Sequence, residues 1–148
     1  MNVVLDANIF ISALITEGGI PARILAHWRS GDIDVVASPA IIEEVRRVTG
    51  YPKLLNRYAR IRENRDEFIA TLSEIAIVVE PTEKLTVVRE DESDNRYIEC
   101  ALAGNAEYLV SGDSHLLDVA EYRGIKMVPP ATFLAILTAE IGQRRSES

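Results

Sequence analysis

The chain has 148 residues, of which 47% are hydrophobic and 26% are charged, and this matches one ordinary globular domain that can bury its own core. Its formal net charge of −7 argues against general nucleic-acid binding, and its single cysteine, Cys100, excludes an intramolecular disulfide and fits a reducing cytosol. We see no signal peptide and no apolar run near the roughly 18 residues of a membrane span, so we expect a cytoplasmic protein.

Short apolar runs alternate with helical patterns along the whole chain. In chain order we predict five strands, at Val3–Leu5, Val35–Ala37, Ile77–Val79, Tyr108–Val110 and Ile125–Val128. Between and after them we predict helices at Ile9–Ile15, from Pro21 to about Ser30, from Ser38-Pro39 to about Thr49, at Asp94–Ala103, at Ser114–Ala120 and from Pro130 to about Ile141, with one or two more from Lys53 to about Ile75. Residues Glu80–Ser93 are predicted to form a polar loop with a short extended piece at Leu85–Val88. This alternation predicts one α/β domain over residues 1–140, with a five-stranded, mostly parallel sheet and helices on both faces, and a disordered tail at 141–148.

Two aspartates, Asp6 and Asp113, follow predicted strands in the runs VVLD and YLVSGD. In open parallel sheets, binding sites lie outside the carboxyl ends of the strands, so both carboxylates are candidate site residues. Each can equally serve as the N-cap of the helix that follows, a role that Asn8 and Ser114 could take instead.

Two further acids lie on inward faces of predicted helices. A helical wheel of Ile41–Val48 places Glu44 at the border of the buried face, whereas Glu43 points the opposite way. In the helix that begins at Asp94, that aspartate is in line with the face that packs on the sheet. The helix dipole favours acids in a first turn by roughly 0.3–1 kcal/mol, but it does not require an inward position. For Glu44, a border carboxylate that reaches solvent is the ordinary alternative.

These four carboxylates, Asp6, Glu44, Asp94 and Asp113, together predict a cation site. Like charges held in one place repel and raise each other's pKa values, and a hard divalent cation removes that conflict. Mg²⁺ or Mn²⁺ prefers oxygen ligands. The two histidines and the single cysteine lie far apart in the chain and offer little to a softer metal.

The runs VVLDANIFISAL, SPAIIEEVRRV and DNRYIECALAGNAEYLVSGDSHLL, in this order, resemble the PIN domain family over about residues 1–137. The resemblance is to the branch similar to the VapC-type ribonucleases of toxin–antitoxin systems. It implies an endoribonuclease that depends on Mg²⁺ or Mn²⁺, a homodimer and, for a toxin, a cognate antitoxin protein. For the dimer interface, the apolar residues of Ile9–Ile15 and the group Ile24, Leu25 and Trp28 are candidates, and they are equally candidates for the core.

The resemblance carries over onto the same four acids. It implies that Asp6, Asp94 and Asp113 hold one or two cations and that Glu44 orients a water molecule. Such a cation lowers the pKa of water and offsets the charge that develops on phosphate oxygens. The family's usual products carry a 5′-phosphate and a 3′-hydroxyl.

Two uncharged polar residues, Asn8 and Ser111, stand near these acids in the chain. We expect them to orient a carboxylate or a water molecule beside the cation. His115 is close in sequence to Asp113 and could touch phosphate. Such a histidine is more often a surface or capping residue, so we do not include it in the predicted site.

Basic residues are concentrated between Val45 and Arg65, where seven face one acid, Glu63. The seven are Arg46, Arg47, Lys53, Arg57, Arg60, Arg62 and Arg65. The segment has a net charge of +6, which leaves −13 for the rest of the chain. A remainder so negative repels RNA, so we predict that Arg46 and Arg47 help to bind it. A solvated basic helix surface is the ordinary alternative.

Other classes compete less well with this interpretation. Phosphatases of the haloacid-dehalogenase type need a second aspartate two residues after the first, where this chain has Asn8. Receiver domains need Lys-Pro after the last strand, and Lys126 is not next to proline. Two alternatives stay open: a catalytically inactive PIN-like module that binds RNA or protein, and an RNA-processing nuclease outside any toxin system. The presence of all four acids argues against the inactive module.

Overall fold

A computed structural model describes residues 1–147 as an α/β fold with six strands and eight helices in that range. The strands are β1 (Asn2–Leu5), β2 (Asp34–Ala37), β3 (Ile77–Val78), β4 (Tyr108–Val110), β5 (Glu121–Tyr122) and β6 (Ile125–Val128). The helices are α1 (Ala7–Ile15), α2 (Ile20–Arg29), α3 (Pro39–Thr49), α4 (Pro52–Arg57), α5 (Ala59–Ile75), α6 (Glu92–Ala103), α7 (Ser114–Val119) and α8 (Pro130–Glu147). The predicted fold class and all five predicted strands are confirmed.

The strands form one sheet in the order β3-β2-β1-β4-β6-β5, in which every neighbouring pair except β5 and β6 is parallel. β1 lies at the centre, so that Val4 pairs with Val36 of β2 on one side and with Leu109 of β4 on the other. Val3, Val4 and Leu5 are fully buried. Burial on both faces of a parallel sheet explains why this strand is continuously apolar rather than alternating.

Two parts of the fold differ from the prediction. β5 is a sixth, short strand that joins β6 through a two-residue turn of Arg123 and Gly124, both of which have positive φ. Such hairpins use positive φ at both turn positions, but Glu121–Tyr122 is too short to show a strand pattern in the sequence. Residues 141–147, which we predicted to be a disordered tail, instead form the last turns of α8, and Ser148 lies outside the described residues.

The loop between β3 and α6 is held against α6 by two side chains of that helix. The Asn95 amide donates to the main-chain oxygen of Val88 and accepts from its nitrogen, both at 2.8 Å. The Glu99 carboxylate accepts from the nitrogen of Leu85 at 2.8 Å. As predicted, residues 85–88 lie in a loop, and side chains satisfy the main-chain nitrogen of Leu85 and both polar main-chain groups of Val88.

Helix α6 packs closely on β2 at its C-terminal end. Gly104 follows the helix, and a Cβ atom at this position would lie 2.3 Å from Cγ1 of Val36. No real Cβ atom lies so close to another carbon, so the sheet and the helix approach each other here more closely than any residue but glycine permits. This contact fixes the position of α6 over the centre of the sheet.

Three arginines of α5 hydrogen-bond main-chain oxygens in the last turns of other helices. The bonds run from Arg60 Nε to Leu14 O of α1 (3.1 Å), from Arg62 to Leu55 O of α4, and from Arg65 Nη2 to Arg46 O of α3 (2.8 Å). Carbonyls in a last helical turn have no partner within their own helix, and a cation there is also favoured by the helix dipole. Three of the seven basic residues between 45 and 65 thus have a structural role.

The core lies on both sides of β1 and contains the apolar residues of α1. Phe10 and Ile24 are fully buried, and Trp28 packs partly buried against this core. Most of the residues considered for a dimer interface therefore belong to the core of the single chain, whereas Ile15 and Trp28 are only partly buried. Within residues 1–147, no single helix is long and apolar enough to cross a membrane; α1 and α2 meet that standard only as a pair bent by 101°.

Candidate metal centre

Asp6 lies at the carboxyl end of the central strand and is 4% exposed. Its Oδ1 accepts a hydrogen bond from the main-chain nitrogen of Asn8 (2.6 Å), and its Oδ2 accepts one from the Ser111 hydroxyl (2.5 Å). The first bond makes Asp6 the N-cap of α1. Burial raises the pKa of Asp6, and the Glu44 carboxylate adds to the rise, while the bonds from Ser111 and Asn8 act against it. Each oxygen has a second lone pair, so capping does not prevent coordination.

Glu44 is half-buried on α3 and is held by a tyrosine of α6. The Tyr97 hydroxyl donates to Glu44 Oε2 (2.5 Å) and accepts from the main-chain nitrogen of Ala7 (3.2 Å). Burial, followed by this bond to the carboxylate, raises the pKa of Tyr97, so its hydroxyl keeps the proton that it donates. Because Ala7 directly follows Asp6, Tyr97 holds Glu44 beside that aspartate. Glu43 is exposed and pairs with Arg46, as the helical wheel predicts.

Asp113 is the N-cap residue of α7 and is joined to Asp6 through Ser111. The buried Ser111 oxygen donates to Asp6 and accepts from the main-chain nitrogen of Asp113 (3.0 Å). Asp113 Oδ1 in turn accepts a hydrogen bond from the main-chain nitrogen of His115 (2.8 Å), and through this bond Asp113 caps α7. Both aspartates at strand ends are therefore helix caps, and they are also neighbours, because β1 and β4 pair with Leu5 opposite Val110.

Asp94 lies in the first turn of α6 and is 4% exposed, so its predicted inward position is confirmed. No donor within residues 1–147 lies in hydrogen-bonding distance of its buried Oδ2 atom. Burial raises the pKa of Asp94 to about 7, and the charges of Asp113 and Asp91 add to the rise. A buried carboxylate oxygen without a donor is unfavourable, and a nearby positive charge would remove that cost.

Asp94, Asp113 and His115 form a group that fits a divalent cation. Each residue offers one ligand atom, and these atoms all lie within 4.8 Å of one another. Two carboxylates and an imidazole are ordinary ligands of divalent metals. Asp94 also carries the buried oxygen without a donor, and a cation bound to this group would supply the positive charge that this oxygen lacks. The structure thus joins all four predicted acids in one network, with Asp6 and Glu44 on one side and Asp94 and Asp113 on the other.

The raised pKa of Asp94 predicts a specific pH dependence of stability for the cation-free protein. The ordinary pKa of 3.8 applies in the unfolded chain, and the folded value is about 7. Between these values only the folded state holds the proton, so the contribution of Asp94 to stability falls as pH rises and levels off above about pH 7. Asp94→Asn removes this dependence. The melting temperature of the variant minus that of the parent should therefore increase with pH across this window.

The measurement is thermal unfolding of both proteins with a chelator at several pH values. Asp118→Asn is the matched control, because Asp118 is an exposed acid on α7. A difference between parent and Asp94→Asn that does not change with pH would contradict the prediction.

The predicted arginines lie outside this network, on the exposed side of α3. Arg46 pairs with Glu43 at 2.7 Å, and Arg47 contacts the hydroxyl and ring of Tyr51. The Asn8 side chain is exposed, and the contact of this residue with Asp6 is made by its main chain. The structure therefore brings together the four acids and Ser111 but not Arg46, Arg47 or the Asn8 side chain.

Two residues of the network, Tyr97 and His115, were not predicted. Tyr97 is three residues after Asp94, so a wheel extended along α6 places both on one face. His115 is two residues after Asp113, and its proximity to Asp94 depends on how α7 packs. A signal for the tyrosine was thus present in the sequence, whereas the histidine needed the tertiary structure.

A sequence profile described as PIN domain matches residues 2–115 of this chain. The uncharacterized protein MJ1680 of Methanocaldococcus jannaschii is 31% identical over 121 residues, which cover 82% of this chain and 76% of that protein. The profile match includes all four acids and Ser111.

Solved structures share the fold at lower identity. PAE2754 from Pyrobaculum aerophilum superposes with a TM-score of 0.63 at 18% identity, over 94% of this chain and 90% of its own. VapBC2 from Rickettsia felis, solved with a DNA fragment from its promoter, gives 0.58 at 15% identity, over 87% of this chain and 98% of its own. With the profile match extending over most of its length, the chain belongs to the PIN domain family.

Proposed function

We propose that this chain is an endoribonuclease that depends on Mg²⁺ or Mn²⁺ and acts as the toxin of a type II toxin–antitoxin pair. PIN domains are generally nucleases. The observation that carries the proposal is the network of four carboxylates, of which Asp6 and Asp94 are buried and an oxygen of Asp94 has no donor within the described residues. A set of fully solvated acids would not contain such an atom, because each of their oxygens would face water.

In this proposal Asp6, Asp94 and Asp113 hold the cation, each from a different element of the fold. The cation supplies Lewis acidity at the phosphate and lowers the pKa of water. Ser111 holds Asp6 in place through its hydroxyl bond. These side chains are preorganised by main-chain and side-chain bonds, which is what an electrostatic site requires.

Glu44 orients the attacking water. Tyr97 donates to one oxygen of this carboxylate, so the other oxygen is the more available acceptor for a hydrogen bond from water. The water oxygen forms a bond to phosphorus while the bond from phosphorus to the 3′-oxygen breaks. The attacking water gives up one proton and the leaving 3′-oxygen takes up one, so the products carry a 5′-phosphate and a 3′-hydroxyl.

The toxin assignment is supported by the proteins that share the fold. They include VapBC-1 from nontypeable Haemophilus influenzae, at a TM-score of 0.54, and FitAcB from Neisseria gonorrhoeae, at 0.55. We extend to this chain a cognate antitoxin and a homodimer as parts of the same proposal. A gene for a small DNA-binding protein next to the gene for this chain would support the assignment of a toxin with a cognate antitoxin.

Removal of the cation tests the nuclease directly. The purified protein should cleave single-stranded RNA with Mg²⁺ or Mn²⁺, lose this activity in excess chelator and regain it when the cation is restored. The products should be sensitive to an exonuclease that requires a 5′-phosphate. Cleavage that persists in chelator, or no cleavage with either cation, would overturn the proposal; in the second case the inactive binding module is favoured.

Arg46 and Arg47 are proposed to contact RNA phosphates beside the site. Both are exposed and share α3 with Glu44. Replacing both with alanine should weaken RNA binding and reduce the slope of log affinity against log salt by about 1.4, since each phosphate contact on a single strand contributes about 0.7. Titration of labelled RNA at several salt concentrations measures this slope.

The matched control is Arg144→Ala with Arg145→Ala on α8, where Arg144 pairs with Glu140 much as Arg46 pairs with Glu43. Both double variants remove the same charge. Equal slopes for the parent and the Arg46 and Arg47 variant would show that these arginines are only a solvated surface.

A further inference from the structure

We infer that His115 is a direct nitrogen ligand of the cation held by Asp94 and Asp113, and that this makes the site prefer Mn²⁺ and Co²⁺ over Mg²⁺. The inference rests on the proposed metal-dependent function and names the donor set of that same site. It assigns a role to a histidine that lies outside the four carboxylates.

The first observation is the spacing of the three side chains. Their ligand atoms lie within 4.8 Å of one another. Ligand atoms about 2.1 Å from one ion are separated by about 3 Å when adjacent and about 4.2 Å when opposite. The His115 Nδ1 atom is 3.8 Å from Asp113 Oδ1, which is too long for a hydrogen bond and falls within that span.

The second observation is independent of the histidine. Asp94 Oδ2 is buried and has no donor within residues 1–147, and Asp94 is one of the three residues of the group. A buried carboxylate in this state is unfavourable when charged, and a cation placed against it would remove that cost. An ion placed against it lies within reach of His115 from the more exposed side, where nearly half of the imidazole surface is accessible.

A hydrogen bond of the main chain fixes the backbone position of His115. The nitrogen of His115 donates to Asp113 Oδ1 at 2.8 Å, so the two residues keep their relative position when the ring turns. Because the backbone of His115 is already fixed, binding an ion has only to order the side-chain rotamer. The alternative is an ordinary surface histidine that only faces Asp113.

The donor set decides the metal preference. Mg²⁺ and Mn²⁺ both take oxygen ligands, but Mg²⁺ retains its waters, whereas Mn²⁺ is a transition metal that also accepts imidazole and Co²⁺ binds imidazole more strongly. A nitrogen ligand therefore adds affinity for Mn²⁺ and still more for Co²⁺, and it adds little for Mg²⁺.

The test is cation binding without RNA, using untagged protein and isothermal titration with each metal alone. His115→Ala should weaken binding of Mn²⁺ and Co²⁺ by at least about tenfold, because even groups that only hydrogen-bond a ligand contribute 10–100-fold. Mg²⁺ binding should change by less than about twofold. His27→Ala is the matched control, because His27 is the only other histidine and pairs with Asp32.

A spectroscopic readout makes the assignment specific. In His27→Ala protein, His115 is the one remaining imidazole. Pulsed electron paramagnetic resonance of bound Mn²⁺ should show coupling to an imidazole nitrogen in this variant, and His115→Ala should remove the coupling.

The outcomes separate the inference from the proposed function. If the parent binds Mn²⁺ and His115→Ala neither weakens binding nor changes the nitrogen signal, the inference is wrong and the nuclease proposal stands. If the parent binds none of the three cations, both fail.

Discussion

Asp6→Asn should abolish cation-dependent RNA cleavage while the protein stays folded. Asparagine has nearly the shape of aspartate, and its oxygen can still accept from the nitrogen of Asn8 while its amide group faces the Ser111 hydroxyl. Burial raises the pKa of Asp6, so the carboxylate is costly to keep charged, and a neutral amide removes that cost. We expect a melting temperature equal to or above that of the parent at neutral pH.

The loss of activity follows from the charge that is removed. A catalytic cation contributes several kcal/mol of charge stabilisation, which corresponds to at least about 10²-fold in rate. Cleavage by Asp6→Asn should fall by at least this factor, and Mn²⁺ binding should weaken in the same sample. The assays are RNA cleavage under single-turnover conditions and titration with Mn²⁺.

Asp118→Asn serves as the control for charge alone, because Asp118 is exposed on α7. It should cleave RNA as the parent does. If Asp6→Asn protein, purified in parallel, cleaves as fast as the parent, then the observed activity comes from elsewhere or the carboxylate site is misassigned.

Gly104→Ala should destabilise the protein by about 1–3 kcal/mol, since overpacking a close contact costs this much. The added Cβ would lie 2.3 Å from Val36 Cγ1, and Val36 is fully buried in β2. Neither the strand nor the end of α6 can yield without disturbing the sheet. Thermal or denaturant unfolding should show a clear loss for this variant.

Gly142→Ala is the matched control for the same substitution. Gly142 lies within α8, and a Cβ there meets nothing within 4 Å. Alanine should stabilise this helix by roughly 0.5–1 kcal/mol, so the two variants should differ in sign. Adding Val36→Ala to Gly104→Ala should recover part of the loss. If the losses of stability from Gly104→Ala and Val36→Ala simply add in the double variant, the contact between Gly104 and Val36 is not the cause of the destabilisation.

The sequence was sufficient for the fold because buried parallel strands are continuously apolar. Val3–Leu5 and Tyr108–Val110 show this pattern, and helix signals such as Ser38-Pro39 separate the strands. β5 was not predictable, since two residues carry no periodicity. The final turns of α8 contain GQRRSE, in which no apolar face marks a helix, so that end of the domain could not be located from the pattern.

The candidate site was partly predictable for a similar reason. Asp94 lies on a face defined by helical periodicity, and the sequence therefore contains its inward direction. The contacts of Tyr97 and His115 depend on how α6 meets α3 and α7, which no local pattern records. The arginines of α5 show the reverse case: their charge was visible, but their bonds to the ends of other helices were not.

The central position of β1 determines when the site can exist during folding. Asp6 and Ser111 are 105 residues apart in the chain, and their contact requires β1 to pair with β4. The entropy of closing so long a loop must be overcome before that pairing is favourable, so it belongs to the late, non-local steps of folding. A nascent or partly folded chain that has joined β1 only to β2 still lacks Ser111, Asp113 and the neighbouring strand. If the chain is a ribonuclease, its activity therefore begins only when nearly the whole domain has been made and folded.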